Sequence, residues 1–253
     1  MEKYSITRKL NGIPVMSYDE IEKLSLEIIS DFDPELLKCP KAIDIEALGE
    51  FGLNLHIYYN DLSHNGSVLG SIALTNGTCY LYDKENNDIL MREVKAGDIF
   101  LDNQLLNYNN EGRRNFTLAH EISHYITLKT IIEKALVNKA EDKECEIIRC
   151  TNAELHENSY TWHNNDDLAW MEYYANNLAA SLLMPKTTVA ELMKLVFNKL
   201  NLTKPVQIGK DERSDIIADK ILPEIMAAIY RVSKQSAGIR LRRLGYIIDK
   251  QGS

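Results

Sequence analysis

The most regular apolar spacing in the chain lies in residues 113–128, RRNFTLAHEISHYITL. Phe116, Ala119, Ile122 and Ile126 recur at intervals of three and four, which is the pattern of an amphipathic helix with one buried face. The pattern therefore predicts a half-buried helix over this stretch.

From Gly52 to Asn103 the pattern changes to short runs rich in β-branched and aromatic residues: LNLHIYYN, SVLGSIALT, TCYLYD and DIFLDN. Asn-Gly and Asn-Asn pairs between the runs are typical turn signals. These features predict a small, mostly antiparallel sheet before the helix. His56 and His64 fall in a strand and a turn of this region, where we expect ordinary polar side chains rather than metal ligands.

Helical spacing returns at both ends of the chain. Residues 18–31 and 43–51 each predict a helix, so residues 1–50 form a helical lead-in. Residues 129–165 show no sustained period and are predicted to be an insertion or lid. Beyond Pro185 the pattern is again helical.

The composition changes this picture little but narrows the class of protein. The chain has 253 residues, of which 45% are hydrophobic, enough for a globular core. A formal net charge of -8 argues against a protein that coats nucleic acid. Because no apolar run could span a bilayer and no signal-peptide core is present, we expect an unexported, cytoplasmic protein without a membrane segment.

The four cysteines are scattered, and we expect free thiols in a reducing compartment. They are Cys39, Cys79, Cys145 and Cys150. A structural zinc site built from Cys145, Cys150, His156 and His163 is the alternative, but its spacing matches no standard site.

The candidate chemistry lies in the predicted helix, where His120, Glu121 and His124 stand in the order His-Glu-x-x-His. Positions four apart share a helix face, so both imidazoles can bind one metal ion. Glu121 points about 100° away from His120. It is therefore not a ligand, but its carboxylate can reach a water molecule at the ion and act as a general base. The alternative is a surface helix with two unrelated histidines.

A third ligand is available on a second predicted helix, which runs from about residue 166 to Met184. Glu172, Asn176, Ala179 and Leu183 lie on one stripe of this helix, and several alanines permit close approach of another helix. Close approach is what a carboxylate needs to meet two histidines around one ion. The alternative is that Glu172 is a solvated charge beside an alanine-rich packing face.

Taken together, RRNFTLAHEISHYI and EYYANNLAASLLMP resemble the ImmA/IrrE family of metallopeptidases, and VSKQSAGIRLRRLGYI is similar to that family's C-terminal segment. The resemblance implies an α+β, zincin-like fold with one zinc ion. It carries the zinc ligands over to His120, His124 and Glu172 and the catalytic carboxylate to Glu121. Ser123 stands where the family usually has glycine, and the gap between His124 and Glu172 is longer than usual.

Several details of the site stay open at this stage. Another divalent ion could replace zinc. Asn176, one turn beyond Glu172, could orient a ligand from outside the coordination sphere. DIFLDN is a possible edge strand on which an extended peptide could pair. A second donor to the developing oxyanion could be any of Tyr125, Tyr173, Tyr174, His156 and His163.

The sequence divides at Pro185 into a metallopeptidase domain, residues 1–185, and a C-terminal helical subdomain, residues 186–253. The last two helices flank Val232 and Ser233 in a helix-turn-helix arrangement, with Ser233 as N-cap. The final helix carries Lys234, Arg240, Arg242 and Arg243. DNA contact through residues 231–245 is therefore one hypothesis. We favour the other, a helical subdomain that packs on the peptidase or docks its substrate.

The family resemblance implies a cytoplasmic zinc endopeptidase that cleaves a helix-turn-helix repressor of the Xre type and so relieves repression in a mobile element or stress response. One alternative is a metal-binding transcriptional regulator without proteolytic activity. Another is a proteolytic toxin or phage-defence effector.

Overall fold

The computed structural model describes residues 4–137, 144–151, 167–202 and 205–249. Its helices are α1 (Tyr18–Phe32), α2 (Ile45–Ala47), α3 (Glu111–Val137), α4 (Asp167–Leu183), α5 (Lys186–Leu200), α6 (Glu212–Ile216), α7 (Leu222–Tyr230) and α8 (Lys234–Arg243). Its strands are β1 (Ile57–Asn60), β2 (Val68–Ala73), β3 (Gly77–Asp83), β4 (Asp88–Val94), β5 (Ile99–Asp102), β6 (Ile147–Thr151), β7 (Val206–Gln207) and β8 (Ile247–Ile248). The predicted α+β class is confirmed.

The predicted lead-in helix is α1, which begins at a capping box. The Ser17 side chain accepts a hydrogen bond from the Glu20 backbone, and the Glu20 carboxylate accepts one from the Ser17 backbone N–H. The second predicted helix is α2, which continues as a π-helical turn to Gly52. Both helices therefore begin close to where the sequence pattern placed them.

A four-stranded sheet has the strand order β1-β5-β2-β6. β2 runs antiparallel to both β5 and β6, whereas β1 and β5 are parallel, so most of the pairing is antiparallel as predicted. β3 and β4 form a separate antiparallel hairpin. The prediction that DIFLDN is an edge strand is wrong, because this segment forms β5, which is paired on both sides.

The segment predicted to be an insertion or lid contains regular structure. α3 continues through residues 129–137, and β6 pairs with β2 in the central sheet. These two stretches are regular elements of the fold, and the insertion or lid stays a prediction. Residues 138–143 and 152–166 lie outside the described residues.

α3 packs between the sheet and α4. On the α4 side, Ala175 and Ala179 are fully buried, which permits the close helix approach that the sequence suggested. On the sheet side, Gly70 of β2 leaves no room for a side chain, since an added Cβ would lie 2.6 Å from the Glu121 carboxylate. α3 is therefore held on two sides, and its central residues are buried.

The C-terminal helices pack on the same core as the rest of the chain. The main hydrophobic cluster includes Ile28, Leu178, Leu222 and Leu241, so Pro185 marks a boundary in sequence rather than a break in packing. α6, a π-helical turn and α7 follow one another directly.

A short turn joins α7 and α8 at the predicted position. Arg231 adopts the left-handed conformation that ends α7, with φ of 51°. Ser233 is the N-cap of α8, as predicted, and its hydroxyl accepts a hydrogen bond from the Ser236 backbone at 3.0 Å. Within the described residues, no helix is both long and apolar enough to cross a membrane.

Candidate metal centre

His120, Glu121 and His124 lie at the middle of α3, and none of them has exposed surface. Glu172 reaches the same point from α4 and its side chain is 7% exposed. Two helices far apart in sequence thus bring three potential ligands together. This is the arrangement that the sequence analysis required and that a surface helix with unrelated histidines would not produce.

The two ring nitrogens and the carboxylate group of Glu172 form a small triangle. Nε2 of His120 and Nε2 of His124 are 3.1 Å apart. The two Glu172 oxygens lie 3.2 Å from Nε2 of His120 and 3.1 Å from Nε2 of His124. In a tetrahedral zinc site with bonds of about 2.0–2.1 Å, neighbouring ligand atoms are roughly 3.3 Å apart. The donor set and its spacing therefore fit a zinc ion, or another divalent ion of similar size.

The charges in this cluster support one another. Burial alone would raise the pKa of Glu172, but hydrogen bonds and charge from His120 and His124 outweigh it and hold the pKa well below its usual range. Burial alone would lower the pKa of His120, yet the hydrogen bond and charge of Glu172 raise it. Glu172 is consequently held as a carboxylate, the form in which it can bind a cation.

Asn176 lies beside His120, as the sequence analysis suggested for a residue one turn beyond Glu172. Its side-chain oxygen is 3.0 Å from Nδ1 of His120. When Nδ1–H of the neutral ring donates to this oxygen, Nε2 is left with the free lone pair that a metal ion requires. Asn176 is thus placed to fix both the orientation and the tautomer of one candidate ligand.

Glu121 lies next to the triangle but makes a different set of contacts. Both of its carboxylate oxygens are buried, and one of them lies directly against the backbone of Gly70. Its carboxylate belongs to a second cluster, with His120 and Cys150, whose ligand atoms lie within 4.8 Å of one another. Glu121 therefore lies beside the candidate ligands.

The three tyrosines proposed as oxyanion donors have other contacts. Tyr125 lies against Gly97, the Tyr174 hydroxyl accepts a hydrogen bond from the Met16 backbone, and the Tyr173 hydroxyl accepts one from Arg243. The other two candidates, His156 and His163, lie outside the described residues. The alternative zinc site that would use them with Cys145 and Cys150 lies partly outside as well.

The predictions for His56, His64, Ser123 and the cysteines can also be compared with the structure. His56 and His64 are exposed, consistent with ordinary polar roles. Ser123 is buried, and its hydroxyl donates to the Ala119 carbonyl, so the departure from glycine is accommodated within α3. All four cysteines are free thiols, as expected.

The sequence analysis missed Cys150 and Gly70 as neighbours of the site. Ile148 and Cys150 are the buried residues of β6, and this alternation was the available signal. In a strand of only five residues inside a long polar segment, this alternation is too short to be recognised. Gly70 gave no signal of its own, because its role depends on α3 packing against β2.

Comparisons with known proteins add no relative: no protein-family model matches the chain, and the search of curated proteins gave no match.

Proposed function

We propose that this chain is a cytoplasmic zinc-dependent endopeptidase in which His120, His124 and Glu172 hold the ion and Glu121 is the general base. The observation that carries the proposal is that two ring nitrogens 3.1 Å apart each lie 3.1–3.2 Å from a different oxygen of the Glu172 carboxylate, with the buried Glu121 carboxylate beside them. A solvated histidine pair or an isolated helix charge would not give this arrangement.

The chemistry follows from the roles of these residues. When bound, zinc supplies a Lewis acid that activates water and stabilises negative charge on a carbonyl oxygen. Glu121 accepts the proton of the water that attacks the peptide carbonyl and passes it to the leaving amine. Asn176 keeps Nε2 of His120 available, and Glu172 contributes one negative charge to the site.

The sheet supports an extended peptide as substrate. Among the described strands, β6 is at the edge of the central sheet, and its residue Cys150 lies within 4.8 Å of ligand atoms of His120 and Glu121. A peptide that pairs with a strand edge presents its backbone carbonyls in a regular row. We therefore transfer the proposed peptide-binding edge from β5 to β6.

We further propose that the substrate is a helix-turn-helix repressor, as the family resemblance implies. The competing hypothesis of DNA contact through residues 231–245 loses support from the arginines of α8. Arg240 is buried, Arg242 pairs with Asp219 and Asp249, and Arg243 lies over the Tyr18 ring. Each of these three arginines has partners within the chain, although Arg243 is exposed.

A comparison of cells tests the proposal and names the substrate. Cells that make the parent chain and cells that make Glu121→Gln are compared for a protein that becomes shortened only with the parent. The purified parent should then cleave that protein, stop in chelator and recover with zinc. If no protein is shortened, while both forms hold zinc and regulate the same genes, the non-proteolytic regulator is correct instead. Growth arrest that accompanies the cleavage would identify an effector.

A further inference from the structure

Cys79 and Cys145 are two buried thiols that lie side by side outside the candidate metal centre. Cys79 is 1% exposed and Cys145 is 6% exposed, and both belong to the small hydrophobic cluster around the β3–β4 hairpin. Their side chains form a hydrogen bond with each other. Among the described residues, neither is in a group of possible metal ligands. The pair is therefore separate from the residues of the proposed mechanism.

The backbone sets the spacing of the two sulfurs. Thr78 and Glu144 form a parallel β-bridge, and the Cys145 N–H donates to the Thr78 carbonyl at 3.0 Å. Cys79 and Cys145 are the next residues along these two segments, so they are neighbours across the parallel pair. Neighbouring strands lie about 4.7–4.9 Å apart, and a disulfide needs Cα atoms roughly 4.4–6.8 Å apart. The backbone spacing therefore suits a disulfide between the two cysteines.

Positive charge lies beside one of the two sulfurs. Arg92 is directly opposite Cys79 in the pairing of β3 with β4, and Arg149 adds a second positive charge. The hydrogen bond from Cys145 and the two arginines outweigh burial and the Asp98 charge, so the pKa of Cys79 is lowered. The same hydrogen bond, together with burial, raises the pKa of Cys145. Cys79 is therefore the sulfur that more readily forms the nucleophilic thiolate.

We propose that Cys79 and Cys145 are a redox-active dithiol that hydrogen peroxide converts to a disulfide. The Cys79 thiolate attacks one peroxide oxygen, the O–O bond breaks, and the departing hydroxide takes up a proton to become water. This step leaves a sulfenic acid on Cys79. The Cys145 sulfur then attacks the Cys79 sulfur, the S–O bond breaks, and the oxygen leaves as water with the Cys145 proton. In total, two thiols are oxidised to a disulfide, and one hydrogen peroxide is reduced to two water molecules.

The disulfide would join two parts of the chain that are far apart in sequence. Cys79 is on β3, Cys145 comes just before β6, and all of α3 lies between them in the sequence. A cross-link that closes such a long loop lowers the entropy of the unfolded chain and stabilises the fold. The oxidised protein should therefore unfold at a temperature roughly 4–16 °C higher than the reduced protein. Unfolding of the oxidised protein at the same or a lower temperature would contradict this stabilisation.

Peptide mapping of the folded full chain tests the inference and needs neither zinc nor a substrate. The starting protein is Cys39→Ser, because Cys39 is exposed and would react with peroxide by itself. The reduced protein is treated with hydrogen peroxide, its remaining thiols are blocked, and it is digested without reductant. It should lose two thiols to a cross-link between Cys79 and Cys145, and dithiothreitol should restore both. Two unmodified thiols at these positions, or a cross-link to Cys150 instead, would overturn the proposed dithiol.

Variants in the same background assign the roles of the two sulfurs. Cys145→Ser should retain a sulfenic acid at Cys79 that dimedone traps, because no second thiol displaces the oxygen. Cys79→Ser should give no trapped sulfenic acid at Cys145, and trapping there alone would overturn the order of attack. Cys150→Ser is the matched control, since it removes another buried thiol, and it should form the cross-link like the starting protein. Should the variants at 79 and 145 fail to fold, the peptide map decides without them.

Discussion

The candidate metal centre between α3 and α4 and the Arg240 cluster in the last turn of α8 are both buried groups of ionisable side chains. α4 contributes Glu172 to the first and Ser181, whose hydroxyl donates to Glu22, to the second. At the metal centre, two imidazoles and a carboxylate meet with their ligand atoms 3.1–3.2 Å apart. In the last turn of α8, Arg240 is 2% exposed and forms two hydrogen bonds with Glu22. It also donates to the Tyr18 hydroxyl and the Met184 carbonyl.

The difference between the two clusters lies in what balances the charge. Arg240 has a permanent positive charge, and Glu22, Tyr18 and Met184 use its donors, so this cluster is complete within the protein. Among the described residues, the candidate metal centre includes no permanently charged cation, and its convergent groups are those that bind a divalent ion. A complete cluster indicates a structural role, whereas a cluster of convergent lone pairs indicates a ligand.

The largest effect is expected from a variant that removes the proposed general base and leaves the candidate metal ligands in place. Glu121→Gln should lower the rate of substrate cleavage by roughly 10²–10⁴-fold, because a neutral amide cannot accept the proton. Steady-state kinetics of the purified, zinc-loaded protein measure the rate, and metal analysis confirms that zinc is retained. Unchanged cleavage would remove Glu121 from the mechanism.

The next largest effect is expected from a variant that removes the positive charge of the Arg240 cluster. Arg240→Ala should lower the free energy of unfolding by about 3–5 kcal/mol, because it leaves the Glu22 charge buried without its partner. Arg242→Ala is the control, since its ion pairs are partly exposed and their loss should cost about 1 kcal/mol or less. Urea unfolding of both variants measures the difference. Equal losses of unfolding free energy in the two variants would mean that the buried Arg240 contacts stabilise the fold no more than the partly exposed ion pairs of Arg242.

Acid unfolding sharpens the same point. Burial raises the pKa of Glu22, but the hydrogen bonds and charge of Arg240 outweigh it and lower the pKa overall. The stability that Glu22 contributes is therefore complete above its unfolded pKa and is lost as the pH falls through the folded pKa. In Arg240→Ala burial is opposed only by the hydrogen bonds of Tyr18 and Ser181, which are smaller causes than those of Arg240, so acid unfolding should begin at a higher pH than in the parent. An unshifted pH profile would contradict the role of Arg240.

A smaller effect is expected from the residue that orients His120. Asn176→Ala should weaken zinc affinity about 10–100-fold while the fold is retained, because the ring loses the partner that fixes its tautomer. Competition with a chromophoric chelator measures the affinity. Asn177, whose side chain donates to the Tyr173 carbonyl, gives the matched control, and Asn177→Ala should bind zinc like the parent. Equal affinities in all three proteins would show that Asn176 is only a packing residue.

The smallest effect concerns the turn before α8. Ser233→Ala should cost about 1 kcal/mol of unfolding free energy through loss of the N-cap, with zinc binding unchanged. Thermal unfolding with and without zinc measures both properties. A loss of zinc would mean that the two regions are coupled more tightly than their separate contacts suggest.

Local periodicity explains what could be predicted from the sequence. The placement of His120 and His124 on one face, and of Asn176 one turn beyond Glu172, follows from helix geometry alone. The alanines of α4 indicated close approach of another helix. These features depend on residues three or four positions apart, and the pattern of apolar residues resolves them well.

What could not be predicted depends on contacts between distant parts of the chain. DIFLDN has the composition of a strand, but its place between β1 and β2 is set by pairing with both. Arg240 looks like a solvated charge on α8 until Glu22, 218 positions away, is placed beside it. Cys150 likewise becomes a neighbour of Glu121 only when β6 pairs with β2.

The metal content of the full chain tests the central claim most directly. After zinc loading and removal of free metal, elemental analysis should find one zinc ion per parent chain and none in folded His124→Ala or Glu172→Ala. A parent that retains no divalent metal, or variants that retain as much as the parent, would contradict the metal centre formed by α3 and α4.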